Sequence, residues 1–261
     1  MLATAKEILL GYADNYKNYE VHGGIPYNNP GRFASQVLSD SHPIYALALA
    51  YDLISDTFTD EERRHIEDDL FREAAKHQKK YLTPQIHNHE VAVCTSIAVI
   101  GLIVGDNELC DYALNTKYGL KYQIDNAYLD DNYWFECSTG YHHYSLYWFM
   151  CYEMAARNTE YSLFSDEKYR DKLYCAMLFP LNIYIGNNST ASFNDGKGYL
   201  DGHGSIYEYA YEYFKTEELA RLLRASYVES KREDSLLALV FGADEIPEAR
   251  ELEKKNYIEH L

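Results

Sequence analysis

Two histidines and an asparagine stand directly before a long apolar segment of the sequence. His87, Asn88 and His89 lie in the stretch PQIHNHEVAV at 84–93, and mostly apolar residues follow to Val104. Polar side chains at the entrance of a buried helix are unfavourable unless they hydrogen-bond to something. Asn88 could be the N-cap of that helix, a position that asparagine favours, or the cluster could form part of a binding or catalytic site, and one residue could do both.

A second polar cluster lies at the start of another long helix. It occupies 130–148, DDNYWFECSTGYHHYSLYW, and its chemically versatile side chains are Glu136, Ser138, Tyr141, His142, His143 and Tyr144. The structural interpretation is that these groups only complete buried hydrogen bonds. If the two helices are successive inner helices of a helical ring, they enter from the same side. We then expect both clusters to face one cleft.

The elements that position these clusters are predicted to be helices. A 3.6-residue apolar stripe predicts a helix over 3–18, and a capping box of Thr59 with Glu62 opens an outer helix that ends near residue 81. Segments that are apolar nearly all round predict buried helices. The other predicted helices cover 44–55, 90–104, 141–157, 167–185, 205–214 and 216–227, the last with Thr216 as N-cap. No useful period-2 strand is apparent, and 192–205 is a glycine-rich loop.

Buried helices that alternate with amphipathic ones indicate stacked antiparallel helix hairpins. We therefore predict an all-α chain that forms one domain over 1–261, an (α/α) toroid. Periodicity alone does not separate a toroid from a helical solenoid, but no repeat of fixed length favours the solenoid. The segment 245–261 is charged and predicts a short helix or a frayed end.

Composition narrows the possible partners. The formal net charge of -17 argues against nucleic acid and against an anionic membrane surface. The longest apolar run, 91–104, is too short to span a bilayer, so no membrane partner is expected.

The five cysteines include no C-x-x-C pair and predict free thiols. The first residues lack the features of a signal peptide, which predicts a cytoplasmic chain, or a periplasmic or secreted one if a signal segment was removed. The 27 tyrosines either fill the core or line a wet, sugar-binding cleft.

These motifs resemble the heparinase II/III-like polysaccharide lyases and their alginate lyase relatives. The resemblance rests on HNHE before a buried helix and on the later W-F-E-x-S-x-x-Y-H-x-Y pattern, with LLGYADNY, HPIYALALAYDLI and FNDG in support. It covers roughly residues 5–240. Two features depart from the family pattern. Thr139 stands where the family usually has proline, and helices are predicted up to the last residues, so we expect the β-sheet domain that follows the toroid in the family to be absent from this chain.

The resemblance implies β-elimination on a uronic-acid-containing polysaccharide without a metal or other cofactor. Asn88 would neutralise the sugar carboxylate, Tyr141 would be the acid, and either Tyr141 or His89 would be the base. The remaining predicted residues would contact the sugar or shape the site, and they are Arg32, Gln36, Glu136, His142 and Tyr144. The net charge favours a lightly sulfated uronate, such as alginate, hyaluronan or a bacterial exopolysaccharide, and the sequence shows no local basic patch.

Three alternatives remain open at this point. The chain could be a non-catalytic helical remnant that binds sugar or a partner domain. It could be a glycoside hydrolase, with Glu136 and Asp195 as its carboxylates. A metal site of His87, His89 and Glu90 is a third, although the spacing differs from the His-Glu-x-x-His motif.

Without the second domain, we expect an open half-site with weak catalysis. An exposed aromatic patch on that half-site should drive the chain to form a homo-oligomer.

Overall fold

The computed structural model describes residues 2–23, 29–194, 196–246 and 248–253. The chain divides into two compact units, Met1–Gln123 and Ile124–Leu261, and each is described here by itself. The structure is 65% helical. Its described part contains one sheet, of two short strands. The all-α prediction is therefore confirmed, whereas the prediction of a single domain stays a prediction.

Over the residues that the structure describes, the regular elements of the first unit are all helices. Its α-helices are α1 (Leu2–Asn15), α2 (Val37–Ile54), α3 (Asp60–His65), α4 (Glu73–Tyr81), α5 (Asn88–Ile103), α6 (Asn107–Asn115) and the first half of α7 (Leu120–Ala127). A π-helical segment, Ile66–Arg72, joins α3 to α4, and single 3₁₀ turns follow α1 and α2 at Tyr16–Asn18 and Ser55–Thr57. The predicted capping box at Thr59 is confirmed, because its hydroxyl and the Glu62 carboxylate each accept the other's backbone N–H.

Helix α5 forms the centre of this unit. Every residue from Glu90 to Gly101 is buried, as its uniformly apolar sequence predicts, and α2 and α6 pack against it. Gly101 allows the close approach of α6, since a Cβ at this position would lie 2.7 Å from Cys110 Sγ. The entrance of α5, where the first polar cluster lies, is thus held on a rigid element.

Helix α2 begins seven residues earlier than predicted. The sequence before residue 44 is polar and contains Pro43, which is typical of a loop, yet the helix starts at Val37 and includes the proline. The buried carboxylate of Asp40 explains the difference. It accepts hydrogen bonds from Arg32 N at 2.7 Å and Ala34 N at 2.9 Å, and so ties the preceding loop to the first turn of α2.

The described part of the second unit contains the remaining helices and a short β-hairpin. Its elements are the second half of α7, α8 (Thr139–Ala156), α9 (Glu167–Leu178), β1 (Tyr184–Gly186), β2 (Ser189–Thr190), α10 (Gly204–Phe214), α11 (Glu217–Ala225) and α12 (Leu236–Phe241). Three 3₁₀ turns accompany them, at Leu163–Ser165, Phe179–Ile183 and Arg232–Asp234.

Three details of the second unit differ from the sequence prediction. The helix predicted over 167–185 ends at Leu178, and the short hairpin that follows it was not predicted. Its turn residues, Asn187 and Asn188, both have positive φ, a conformation that asparagine tolerates better than most residues. Thr216 occupies the N-cap of α11, but its side chain does not cap the helix and instead accepts a hydrogen bond from the Tyr174 hydroxyl at 3.3 Å.

The remaining sequence predictions concern the cysteines and the chain's last segment. All five cysteines are free, and Cys94, Cys110 and Cys151 are buried. Within 248–253 no helix is present, and 254–261 lie outside the described residues. Over the described part of the chain, none of the helices is both long enough and apolar enough to cross a membrane.

Candidate active site

His87, and not Asn88, caps helix α5. The backbone of His87 is extended, and its Nδ1 accepts a hydrogen bond from the His89 N–H at 3.2 Å. Because Nδ1 is the acceptor, the ring proton of neutral His87 lies on Nε2. Asn88 is the first residue of the helix, so the interpretation of Asn88 as the N-cap is wrong.

The first unit brings Asn88 and His89 together at this helix entrance. Asn88 is 3% exposed, whereas His89 is half-buried. The His87 and His89 rings meet edge to face, with their centroids 4.3 Å apart. This contact restrains the orientation of His89. The arrangement thus presents a buried amide beside an imidazole that solvent reaches.

Gln123 holds the loop that leads into α5, and sequence reasoning missed it. Its side chain is fully buried. The amide nitrogen donates to the carbonyls of Gln85 at 2.8 Å and Tyr118 at 3.0 Å, and its oxygen accepts from the His87 N–H at 3.2 Å. One side chain thus satisfies three backbone groups around the polar cluster. A single glutamine in a helix gives no sequence signal of such a task.

The second polar cluster surrounds the first turn of α8. Ser138 caps this helix, and its hydroxyl accepts a hydrogen bond from the Tyr141 N–H at 3.4 Å. Tyr141 is 37% exposed, although the helix it belongs to is otherwise largely buried. The Thr139 hydroxyl donates to the Ala191 carbonyl at 3.1 Å, a bond that the family's usual proline could not make. The fold therefore presents the Tyr141 side chain to solvent.

The FNDG loop is attached to this same turn. The amide of Asn194 donates to the carbonyls of Glu136 and Cys137, each at 3.0 Å. Gly196 lies so close to the helix that a Cβ there would be 2.6 Å from both Gly140 N and Ser138 Oγ. Only glycine allows this approach without displacement. The loop and the first turn of α8 thus form one connected structure.

Glu136 is engaged by a neighbouring tryptophan. Its Oε2 accepts a hydrogen bond at 2.7 Å from the indole N–H of Trp134, which is fully buried. This contact agrees with a supporting role for Glu136. Asp195, its partner in the hydrolase alternative, lies outside the described residues.

His142 stabilises the second unit from within. Its Nδ1 accepts a hydrogen bond from Trp134 N at 3.2 Å, and its Nε2 donates to the Ala176 carbonyl at 2.9 Å. The ring is fully buried, and burial lowers the pKa of His142 to about 4. Both ring nitrogens are therefore occupied by the protein. The structure places His142 as a support for the first turns of α8, and its contact with a ligand stays a prediction.

The buried His143 belongs to a second group of side chains, which includes the half-buried His203. Its Nδ1 donates to the Thr139 carbonyl at 3.0 Å, and its Nε2 lies 3.5 Å from the Tyr207 hydroxyl. The His143 and His203 rings stack in parallel with centroids 4.0 Å apart. Burial lowers the pKa of His143 well below its usual range and that of His203 to about 4.

These buried histidines predict that acid destabilises the second unit. They are neutral when folded and take up protons on unfolding below pH 6.5, so the unfolded state binds more protons between pH 6.5 and about 4. Glu153 acts in the opposite direction, because burial raises its pKa to about 7. Each group changes the free energy of unfolding by at most about 1.4 kcal/mol per pH unit. Since three histidines oppose one glutamate, we expect stability to fall as the pH is lowered through this range.

Urea unfolding at several pH values, followed by tryptophan fluorescence, measures this effect, because both tryptophans of the chain lie in the second unit. Glu153→Gln is the matched control and should make the acid destabilisation steeper. Stability that stays constant or rises between pH 6.5 and 4 would contradict the prediction.

Tyr144 is the nearest alternative to Tyr141 as a catalytic acid. It is half-buried on α8, and burial raises its pKa. Its ring meets that of Trp148 edge to face, with centroids 6.2 Å apart. Tyr141 is the more exposed of the two hydroxyl-bearing side chains and the one closer to the entrance of the helix.

Arg32 and Gln36 make contacts within the first unit. Arg32 Nη1 donates to the carbonyls of Tyr16, Lys17 and Tyr19 at 3.0–3.1 Å. The Gln36 amide donates to Ser39 Oγ at 3.1 Å. These bonds give Arg32 a structural task at the end of α1, and contact of either residue with a sugar stays a prediction.

The predicted catalytic residues are divided between the two compact units. Asn88 and His89 belong to the first unit and Tyr141 to the second. Their convergence on one cleft therefore stays a prediction. In the part of the chain that the structure describes, no group of three or more histidine, cysteine, aspartate or glutamate side chains is arranged to hold a metal ion.

Comparison with known proteins identifies the family. The sequence model of the family described as Heparinase II/III N-terminus matches residues 29–221. An alginate lyase of Stenotrophomonas maltophilia (strain K279a) is 32% identical over 165 residues, which cover 60% of this chain and 22% of that protein. An exo-oligoalginate lyase of Saccharophagus degradans (strain 2-40) is 28% identical over 167 residues, which cover 61% of this chain and 23% of that protein. The matched part thus spans less than a quarter of these relatives.

The family match covers most of the chain and includes both polar clusters. The helical content agrees with the helical toroid domain that the sequence resemblance implies. The chain therefore belongs to the heparinase II/III-like family of polysaccharide lyases, to which these alginate lyases are related.

Proposed function

We propose that the chain contributes to β-elimination on a uronic-acid-containing polysaccharide, with Asn88, His89 and Tyr141 as the reacting groups. Family membership supports a lyase at the level of reaction class. The observation that carries the assignment is at the entrance of α5, where the buried amide of Asn88 lies next to the half-buried imidazole of His89. An amide donor next to an imidazole offers a hydrogen bond to a sugar carboxylate and a base for a carbon-bound proton.

Asn88 acts on the sugar carboxylate in this proposal. Removal of the proton from carbon 5 places negative charge on a group that is already anionic. A hydrogen-bond donor fixed before the reaction begins stabilises this charge most effectively. The Asn88 side chain carries a hydrogen-bond donor in the first turn of α5, where the helix dipole also favours negative charge.

The two proton transfers involve His89 and Tyr141. His89, half-buried and restrained by His87, takes the proton from carbon 5. The electron pair of that C–H bond forms the double bond between carbons 4 and 5, and the bond from carbon 4 to the bridging oxygen breaks. Tyr141 donates its hydroxyl proton to the departing oxygen. The products are an unsaturated uronate and a free hydroxyl on the leaving sugar.

Elimination and hydrolysis give different products, and this difference tests the proposal. We expect the chain, incubated with alginate, hyaluronan or a bacterial exopolyuronate, to generate an unsaturated uronate that absorbs in the ultraviolet. Alginate is the first polymer to test because both relatives are named for it. New reducing ends without this chromophore would indicate a hydrolase, and the absence of any product from every polymer would contradict catalysis by this chain.

A further inference from the structure

A polar groove surrounds Arg221 on α11, in the second unit. Two adjoining cavities, of about 570 and 520 Å³, share Tyr184, Arg221 and Leu252 in their walls. The groove includes none of the residues proposed for elimination. Its walls come from α11, from the β1–β2 hairpin and from the segment 249–252.

The groove concentrates positive charge on an acidic chain. Arg221, Arg224 and Arg250 line the larger cavity together with Glu251, and Glu253 lines the smaller one, so three arginines face two carboxylates among the described residues. Arg250 is partly neutralised by Glu217, whose Oε1 lies 3.8 Å from Arg250 Nε. The whole chain carries a net charge of -17. A local excess of arginine in such a chain favours an anionic ligand.

The guanidinium of Arg221 has an unused donor. Its Nη2 donates to the Glu251 carbonyl at 2.8 Å, which fixes the side chain against the segment 249–252. Its Nε is buried and has no hydrogen-bond partner in the described structure. Buried donors are nearly always satisfied, so a ligand's acceptor atom in the cavity gives this nitrogen a partner when the guanidinium turns toward it.

The opposite wall provides neutral polar groups. Asn187 and Asn188 form the turn of the hairpin, and their amides can both donate and accept hydrogen bonds. The turn is held in place because the Asn188 N–H donates to the Tyr184 hydroxyl at 3.2 Å. Amide side chains suit hydroxyl groups, whereas guanidinium groups suit carboxylates. A uronic acid residue carries both of these groups.

We propose that this groove is a second binding site, which takes a uronate residue of an acidic oligosaccharide. The carboxylate binds Arg221 and Arg224, and the sugar hydroxyls bind the asparagine amides. Such a site gives the chain the local basic patch that its sequence does not reveal, and it offsets the long-range repulsion between two anionic molecules. The proposal does not depend on catalysis by Asn88, His89 and Tyr141.

Nitrogen-15 NMR of the arginine side chains tests the site without an activity assay. The Nε–H resonance of Arg221 is assigned by its loss in Arg221→Met. We expect this resonance to shift saturably when an alginate trisaccharide is added, and to stay unchanged with the neutral trisaccharide maltotriose. The Nε–H resonance of Arg170, which binds Asp171 and lies elsewhere in the unit, is the internal control and should not move.

A second variant measures the contribution of the neighbouring arginine. Arg224 is exposed, so Arg224→Met should fold normally. We expect this variant to bind the alginate trisaccharide about tenfold more weakly, as measured from the shift of the Arg221 resonance, because it loses one charged hydrogen bond. Arg170→Met is the matched control and should leave that affinity unchanged. Tyr141→Phe should also leave it unchanged, so failure of the elimination proposal is distinguishable from failure of this one.

Four results would overturn the proposal. The Arg221 resonance could stay in place at saturating trisaccharide. It could shift equally with maltotriose, which would show that the groove does not select the carboxylate. Inorganic phosphate could bind as tightly as the trisaccharide and displace it, which would show that the groove does not select a sugar. Equal affinities for the wild type and Arg224→Met would remove the predicted contact of the carboxylate with both arginines.

Discussion

Tyr141→Phe is expected to lower the turnover of a uronate polymer by about 10²–10⁴, the usual contribution of a general acid. The substitution removes only the hydroxyl that protonates the departing oxygen. The ring stays, and the helix cap is preserved because Ser138 binds the Tyr141 backbone and not its side chain. We therefore expect unchanged thermal stability and nearly unchanged affinity for an oligosaccharide substrate. The rate of ultraviolet absorbance increase measures the turnover.

Two control variants make this experiment specific. Tyr144→Phe alters the neighbouring half-buried tyrosine, and Tyr199→Phe alters an exposed tyrosine outside α8. Both are expected to retain turnover within a few-fold of wild type. Wild-type turnover in Tyr141→Phe together with a large loss in Tyr144→Phe would assign the acid to Tyr144. Equal losses in all three variants would show that none of these hydroxyls acts alone.

The helices that carry the candidate site could be predicted from the sequence because their signals are local. A run of apolar residues on all faces predicts burial of α5, and the structure buries it along nearly its whole length. The capping box of α3 is a short-range pattern of two side chains, and both of its hydrogen bonds are present. Such features depend on residues three or four positions apart, which a single sequence displays.

Features that depend on distant residues could not be predicted. The start of α2 at Val37 is fixed by bonds from the preceding loop to the Asp40 carboxylate, and the sequence around Pro43 gives the opposite indication. The Gln123 side chain hydrogen-bonds to three backbone groups, and two of these lie more than thirty-five positions away along the chain. No propensity or periodicity reports such contacts.

The polar clusters were recognised, but the tasks of their members were not all distinguishable. His87 caps α5 although histidine is not a preferred N-cap residue. His142 and His143 are buried with their ring nitrogens facing protein groups, while Tyr141 beside them faces solvent. Adjacent residues of a helix point in different directions. Which of them reaches solvent depends on what packs against each face, and this requires the tertiary structure.

Arg232→Met is expected to lower the free energy of unfolding of the second unit by about 3–5 kcal/mol, the usual effect of breaking a buried ion pair. Arg232 holds Glu208 through two parallel bonds, Nε to Oε1 at 2.6 Å and Nη2 to Oε2 at 3.0 Å. The Glu208 side chain is 1% exposed, so it cannot replace its partner with water. Arg232 also donates to the carbonyls of Ala243 and Asp244, which anchors the chain after α12. Urea unfolding followed by tryptophan fluorescence reports on this unit, since it contains both tryptophans.

The double variant Glu208→Leu with Arg232→Met separates the ion pair from the anchoring contacts. Removing both charges leaves no buried carboxylate without a partner, so the double variant should recover most of the lost stability. Whatever loss remains measures the two carbonyl contacts, because neither substitution restores them. Lys215→Met, at an exposed pair with Glu212, is the matched control and should cost less than about 1 kcal/mol. A loss below about 1 kcal/mol in Arg232→Met would mean that Glu208 is relieved by a proton or by water, and that the pair does not hold α10 and the end of α12 together.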